Sequence, residues 1–263
     1  MRKVRLVLET FILSLFIAIA VGISAGYLGS LMVLEKMALV GDALSHVALP
    51  GLALGILFNF NPFFGAFVFL FASAVAIWHL QRVTKLSFET LVGATFTLAL
   101  AIGIIIIPEA ELLEALFGDI TNVTWIDTTA AIVISTAAVF LTRTIYKKLV
   151  LGMISEDLAI SKGVKVAEIN LVYLCLVSLV VAIGIKIVGT LLVGFLVIVP
   201  AAAARNLSSD LFRYSVFSSA FGAISASSGI LLSSYLNLPP GPMVVFSGIA
   251  VFLATVLAKW KMK

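Results

Sequence analysis

Charged side chains are scarce in this sequence: only 11% of its 263 residues are Asp, Glu, Lys or Arg, whereas 62% are hydrophobic. Water-soluble domains usually carry about 25% charged residues, so this composition excludes a water-soluble globular protein. Together with a mean hydropathy of +1.22, it predicts an integral membrane protein with almost no room for a soluble domain. The net charge of +4 comes from basic residues in short loops and at the C-terminus, which indicates membrane orientation and not nucleic-acid binding.

Several catalytic patterns are also missing. The single cysteine, Cys175, excludes an intrachain disulfide and a multi-cysteine metal site, and its apolar surroundings are typical of a small buried side chain. The chain has no G-x-x-x-x-G-K-[ST] loop for nucleotide phosphates and no H-E-x-x-H zinc-protease motif. Ser45 and His46 are adjacent, and adjacent helical residues point about 100° apart, so they form no catalytic dyad. We therefore expect a protein that is not an enzyme.

Long apolar runs predict an all-α, polytopic membrane protein of eight or nine transmembrane helices. The first run is too long for the core of a signal peptide, so we interpret it as the first span. The sixth and seventh meet at Gly184-Ile185-Lys186, as two spans or as one broken helix. We see no repeat or linker, so residues 1–263 form one domain. The predicted spans lie near residues 8–34, 37–58, 62–81, 88–108, 124–147, 168–184, 187–204, 212–236 and 241–259.

Basic residues set the expected orientation. Segments 79–85, 146–165, 205–213 and 259–263 are basic and are therefore expected in the cytoplasm. Counting spans back from them places the N-terminus outside. The basic residues Arg2, Lys3 and Arg5 oppose that placement, which leaves an exception, an interfacial helix or a miscounted span as explanations.

One outward connection, residues 108–122, is acidic. It carries four acidic residues and no basic one: Glu109, Glu111, Glu114 and Asp119. It is either an ordinary solvated loop with a short helix, or a negative surface on which a metal ion or a docking protein lands.

An acid and an imidazole stand out in the second span. Asp42 and His46 are four residues apart, so on a helix they share one face. Ionisable residues within a span are functional candidates, and a carboxylate with a neutral imidazole makes half of a shell for a divalent transition metal. A homodimer that presents the pair twice across its axis would complete the shell. A structural polar pair that hydrogen-bonds neighbouring helices is the alternative.

Motifs along most of the chain resemble the zinc/manganese permease family of ATP-binding-cassette importers. They run in the family's order: GDALSHVALPGLALGILF at 41–58, LFGDI at 116–120, EDLAISKGVKVAEIN at 156–170, VGTLLVGFLVIVPAAAAR at 188–205 and LNLPPGPMVV at 236–245. The resemblance implies a compact importer-type permease of the cell membrane, with Asp42 and His46 as metal-contacting residues. It also implies that the helix in 188–205 lies near the pathway and hinges.

The cytoplasmic segment at about 150–167 begins a short helix by its own chemistry. Ser155 is a predicted N-cap, acids follow in the first turn, and Gly163 is a predicted stop. A surface connector is one interpretation. The resemblance implies instead a coupling helix that seats on the cytoplasmic ATPase, with these contact residues: Ser155, Glu156, Asp157, Leu158, Ala159 and Gly163.

The expected function is the membrane subunit of an ATP-driven importer of zinc, manganese or iron, with no permanently bound cofactor. Its expected partners are a second copy, a cytoplasmic ATP-binding subunit, an extracellular or periplasmic metal-binding protein and the lipid bilayer. Two alternatives stay open. A permease for a metal chelate such as haem or a siderophore predicts a wide apolar cavity, and a secondary cation transporter predicts no ATPase partner. Of the other ionisable residues, His79, Glu9 and Lys186 are expected to face headgroups or water.

Overall fold

The structure is a computed structural model that describes residues 2–35, 37–84, 86–107, 115–118, 123–190 and 193–261. These residues form helices and their connections, and no strand occurs among them. The all-α prediction is therefore confirmed. Eleven α-helices follow in chain order: α1 Arg2–Leu34, α2 Ala38–Val47, α3 Leu49–Leu57, α4 Pro62–Thr84, α5 Phe88–Ile106, α6 Trp125–Ile154, α7 Glu156–Ser161, α8 Val166–Val188, α9 Val193–Leu207, α10 Leu211–Leu236 and α11 Pro240–Lys261.

Within the described ranges, eight segments are long and apolar enough to cross a membrane, and α2 with α3 supplies one of them. The shorter α9 has 15 residues and accompanies them. This confirms the predicted eight or nine spans. Large apolar side chains on the outer helix faces stay exposed, for example Ile105 at 83% and Phe140 at 65%. A surface of this kind suits contact with lipid and not with water.

The break between α8 and α9 lies later than the sequence predicts. Gly184 is helical, and a Cβ placed there would lie 2.4 Å from a methyl group of Val193, so its missing side chain serves close packing and makes no turn. The helix continues to Val188 and stops at Gly189, whose φ of +81° suits glycine. The turn predicted at 184–186 is therefore wrong, and Lys186 lies in the last turn of α8.

Helix α1 lies at the centre of the bundle and packs along α10 through small residues. A Cβ on Gly22 would lie 2.4 Å from the carbonyl oxygen of Gly222, so the two backbones touch. Ser218 Oγ donates to the Gly26 carbonyl at 2.5 Å. Close approach of this kind stabilises helix pairs in lipid, where the hydrophobic effect between helices is absent. The core is therefore built around a rigid α1–α10 pair, against which α9 and α6 also pack.

The second span is broken between α2 and α3, directly after His46. Pro50 lacks the backbone N–H that would bond the His46 carbonyl four residues earlier. α2 ends at Val47, α3 begins at Leu49, and Pro50 takes the second position of α3. One residue on, a Cβ on Gly51 would lie 2.2 Å from the Gly65 carbonyl oxygen of α4. The break therefore packs on another helix, a setting in which an interrupted helix is tolerated within a membrane span.

Candidate functional site

His46 lies on α2 in an apolar setting with an unsatisfied ring nitrogen. Its side chain is 8% exposed, and its ring lies 5.2 Å from the Phe96 ring of α5, tilted by 60°. Among the described residues, no hydrogen-bond partner reaches Nδ1. A buried polar atom without a partner costs free energy, so this nitrogen is a candidate for binding a ligand.

Asp42 lies one helical turn before His46 and opens onto a cavity. The cavity has a volume of about 290 Å³ and lies between the first turns of α2 and α5. Its lining consists of Val40, Asp42, Ala43, Glu89, Val92, Gly93 and Phe96. Two carboxylates and no basic residue occur in this set, so the cavity favours a cation. Phe96 belongs to both the cavity and the His46 contact, which joins the two features.

Sequence reasoning missed Glu89. This residue is the acid in the first turn of α5, a position where acidic residues commonly stabilise a helix N-terminus. Because this ordinary role explains Glu89 fully, nothing in the sequence indicates that Glu89 also lines the cavity. Only the packing of α2 on α5 brings Glu89 to the cavity that Asp42 lines.

The start of α9 presses directly on Asp42. A Cβ on Gly194 would lie 2.4 Å from Asp42 Cα and 2.8 Å from Asp42 Oδ1. One turn further, Val197 side-chain atoms lie 3.1 Å from the position of a Cβ on Gly41. Only a glycine permits this contact, so α9 is one wall of the site. The expectation that the helix in 188–205 lies near the transport pathway stays a prediction, and this packing places its first turn against Asp42.

Ser45 bonds the backbone. Its Oγ donates to the Asp42 carbonyl at 2.6 Å, a contact within α2. Within the part of the chain that the structure describes, no group of three or more His, Cys, Asp and Glu side chains gathers to hold a metal ion. The described residues of this chain therefore offer the Asp42–His46 pair and, across the cavity, Glu89.

The short helix α7 has both predicted ends. Ser155 Oγ accepts from the Leu158 N–H at 3.2 Å and caps the helix start, with Glu156 and Asp157 in the first turn. At the other end Gly163 has a φ of +76°. The N–H groups of Gly163 and Val164 donate to the Ile160 and Ala159 carbonyls, at 2.9 and 3.0 Å. These two bonds form a Schellman motif, which satisfies backbone carbonyl groups at the C-terminal end of α7.

Within α7 only Ala159 is buried. Leu158 is 44% exposed and Ile160 is 57% exposed. A capped helix that keeps two apolar side chains in the open has an unpartnered face.

The sequence analysis also names residues outside the candidate site. His79 and Glu9 are exposed, as expected. Next to His79, Trp78 Nε1 donates to the Ala167 carbonyl at 2.8 Å and ties α4 to the start of α8. Cys175 is free and half-buried. The acidic residues Glu109, Glu111, Glu114 and Asp119 lie outside the described residues.

The prediction that Lys186 faces headgroups or water is wrong. Lys186 Nζ lies 2.5 Å from Asp127 Oδ2, and the Lys186 side chain is 19% exposed. The expectation failed because it placed Lys186 in a turn between two spans, whereas the last turn of α8 carries it to the first turn of α6.

Within the described part of the chain, eight apolar segments of membrane-spanning length and a cavity lined by two carboxylates fit a polytopic membrane transport protein. The model of the ABC 3 transport family matches residues 8–259. The chain belongs to this family. It is therefore a transport component of the cell membrane and not an enzyme.

Curated relatives match nearly the whole chain. The high-affinity zinc uptake system membrane protein ZnuB of Buchnera aphidicola is 32% identical, over 95% of this chain and 98% of its own length. The manganese transport system membrane protein MntC of Listeria monocytogenes is 33% identical, over 93% of this chain and 89% of its own. The two names specify different metals at nearly equal identity, so identity does not choose between them.

Solved structures match the fold. PsaBC from Streptococcus pneumoniae, in complex with a Fab, superposes with a TM-score of 0.81 at 32% identity, covering 92% of this chain and 89% of the matched one. An inward-facing conformation of a putative metal-chelate type ABC transporter gives 0.74 at 19% identity, covering 93% and 85%. The second match supports the fold alone.

Proposed function

We propose that this chain is the permease subunit of an ATP-driven importer of a divalent transition metal ion, zinc or manganese. The family and the names of its relatives support the transport of metal. The observation that carries the site is the buried His46 Nδ1, which has no partner among the described residues and lies one turn from a carboxylate. Burying that arrangement in a span is costly unless a cation uses it.

In the proposed mechanism, Asp42 and His46 hold the ion transiently. A carboxylate oxygen and an imidazole nitrogen suit zinc and manganese alike. Two ligands are fewer than the four to six that such ions take, and a homodimer with the pair repeated across its axis supplies the rest. An incomplete set from each protomer binds weakly enough for release, which transport requires. Glu89 then offers the next carboxylate along the cavity.

Coupling to ATP hydrolysis is assigned to a separate cytoplasmic subunit that seats on α7. The contact residues are those of the capped helix: Ser155, Glu156, Asp157, Leu158, Ala159 and Gly163. The capping of both ends of α7 supports this role, because we expect a well-capped helix to move as one body when a partner pushes it. A metal-binding protein outside the cell is the proposed source of the ion.

Uptake of radioactive zinc and manganese into vesicles tests the proposal. The vesicles carry the permease with its ATPase and its binding protein, and ATP is supplied to the ATPase. We expect Asp42→Asn and His46→Ala to lower uptake by more than about tenfold, the scale on which groups around a metal usually act. The matched controls are Asp210→Asn and His79→Ala, which make the same changes at exposed positions and should keep uptake near the wild-type rate.

Three outcomes would contradict the proposal. Unchanged uptake in both site variants, with normal assembly, would remove the metal from this pair. Transport of a chelate and not of the free ion would favour a metal-chelate permease. Uptake that follows a proton or sodium gradient without ATP would favour a secondary transporter. The isotope preferred by the wild-type protein would name the substrate.

A further inference from the structure

A second cavity lies at the end of the bundle where three helices terminate. Asn61 caps the start of α4, with Oδ1 accepting from the Phe63 N–H at 3.0 Å. Asp127 lies in the first turn of α6 and Lys186 in the last turn of α8. All three line one cavity of about 390 Å³, a size within the usual range for small-molecule sites. The metal pathway proposed above uses none of these residues.

The end of the cavity formed by Asn61, Asp127 and Lys186 is polar, and the rest of its lining is apolar. The apolar lining includes Phe67, Ile134 and Leu179. Ile134 and Leu179 are each seven residues from the ion pair along their helices, which is about 10 Å at 1.5 Å per residue. The cavity therefore has charged groups at one end and apolar side chains about 10 Å further along the helices. This arrangement complements an amphiphile, which has a polar headgroup and an apolar tail.

The polar end of the cavity carries one charge of each sign. Lys186 Nζ contacts Asp127 Oδ2 at 2.5 Å and lies 5.3 Å from the centre of the Phe63 ring. Asp127 Oδ2 also accepts from the Thr124 N–H and hydroxyl, at 2.9 and 2.6 Å. The pair has no net charge, so a headgroup with one anionic and one cationic end complements it better than an anionic headgroup does.

We propose that this cavity is a binding site for a phospholipid with a phosphoethanolamine headgroup. One acyl chain enters the apolar slot between α1, α4, α6 and α8. The lipid phosphate accepts from Lys186, and the lipid ammonium donates to Asp127. The bilayer around the protein is the source of the ligand. A choline headgroup has no N–H to donate, and a glycerol headgroup places a net negative charge beside Asp127.

Native mass spectrometry of the full-length purified protein tests this site. Phosphatidylethanolamine, phosphatidylcholine and phosphatidylglycerol with identical acyl chains are titrated separately, and the bound lipid is counted. We expect the wild-type protein to retain phosphatidylethanolamine preferentially. Ala130→Leu, which places a larger side chain at the cavity wall, should abolish that retention. Ala137→Leu is the matched control, because Ala137 is also exposed on α6 but does not line the cavity.

Two charge variants separate recognition of the headgroup from filling of the slot. Asp127→Asn keeps an acceptor for Thr124 but removes the negative charge, so the preference should change from phosphatidylethanolamine to phosphatidylglycerol. Lys186→Met should weaken binding of every phospholipid by roughly tenfold, the effect of losing one hydrogen bond to a charged group. Equal lipid retention by wild type and Ala130→Leu would overturn the proposal. So would a wild-type preference for phosphatidylglycerol, or an unchanged preference in Asp127→Asn.

Discussion

Among the pairs of ionisable residues in the described part of this membrane protein, Asp127–Lys186 and Asp42–His46 differ in how their polar groups are satisfied. Asp127 and Lys186 neutralise each other at helix ends, and Thr124 satisfies the carboxylate further. Asp42 and His46 share a helix face, yet the imidazole keeps a nitrogen without a described partner. The charges of the first pair balance within the chain, whereas the second pair has a polar atom that no described group satisfies.

The difference shows how the cost of burying polar groups marks function. A paired charge reduces its own desolvation cost and ties two helices together. An unpaired buried polar atom costs free energy on folding, so we interpret His46, which is 8% exposed, as a residue kept for a bound cation. Apolar packing also supports the second pair on both sides, with the Phe96 ring against His46 and the α9 backbone against Asp42.

The largest expected effect on the Asp42–His46 site comes from adding one methyl group beside Asp42. In Gly194→Ala the new Cβ would lie 2.4 Å from Asp42 Cα, so α9 must move away from α2. We expect metal uptake to fall, and stability to fall by about 1–3 kcal/mol, as overpacking usually costs. The melting temperature in detergent and the vesicle uptake assay measure the two effects.

Gly93→Ala is the matched control for that variant. Gly93 lines the same cavity, but nothing lies within 4 Å of its added Cβ. A helical alanine is favoured over glycine by about 0.5–1 kcal/mol, so this variant should melt slightly higher than the wild type. If both variants behaved alike, the close contact between α9 and Asp42 would have no part in the site.

Replacing one member of each pair should change stability in opposite directions. His46→Leu removes the unsatisfied nitrogen and should leave the metal-free protein as stable as before, or more stable by about 1 kcal/mol. Lys186→Met leaves the partly buried Asp127 without its cation and should lower stability by about 1 kcal/mol. Thermal unfolding without added metal measures both. Equal losses in the two variants would mean that His46 has structural contacts comparable to the ion pair.

The smallest expected effect concerns a third carboxyl, Glu35, just beyond α1. Burial raises its pKa from 4.5 to about 7. Between these pH values the folded protein keeps a proton that the unfolded chain releases, so this group's contribution falls as pH rises through that window. Glu35→Gln should therefore raise the melting temperature more at pH 8 than at pH 5.

Glu168→Gln, the same change at an exposed position, serves as the control for this pH effect. The difference between wild type and each variant is what matters, since other groups titrate as well. A pH-independent difference for Glu35→Gln would show that its carboxyl is not shielded from water.

Much of this architecture follows from the sequence because spans and helix ends are local properties. Apolar length predicts the long helices, and Ser155 with Gly163 predicts both ends of α7. The spacing of Asp42 and His46 also needs only one helix. These features depend on neighbours in the chain, so the sequence alone is enough to find them.

Features that depend on contacts between helices were missed or wrong. Glu89 reaches the site only because α5 packs on α2. Gly184 reads as a turn residue, yet it permits close contact with Val193, and the chain turns at Gly189 instead. Lys186 was assigned to headgroups or water because its partner, Asp127, lies 59 positions away in the chain. A single sequence carries no signal for such pairs.

The residues that directly follow Val188 help to fix where α9 begins. Thr190 fixes this stretch from one side, with its N–H and Oγ1 donating to the Ala115 carbonyl at 3.0 and 3.1 Å. An extra residue passed on to α9 would rotate the helix by about 100° and carry Gly194 away from Asp42. An insertion or deletion here would therefore alter the site at a single step, and position 189 must stay a glycine because its φ is +81°.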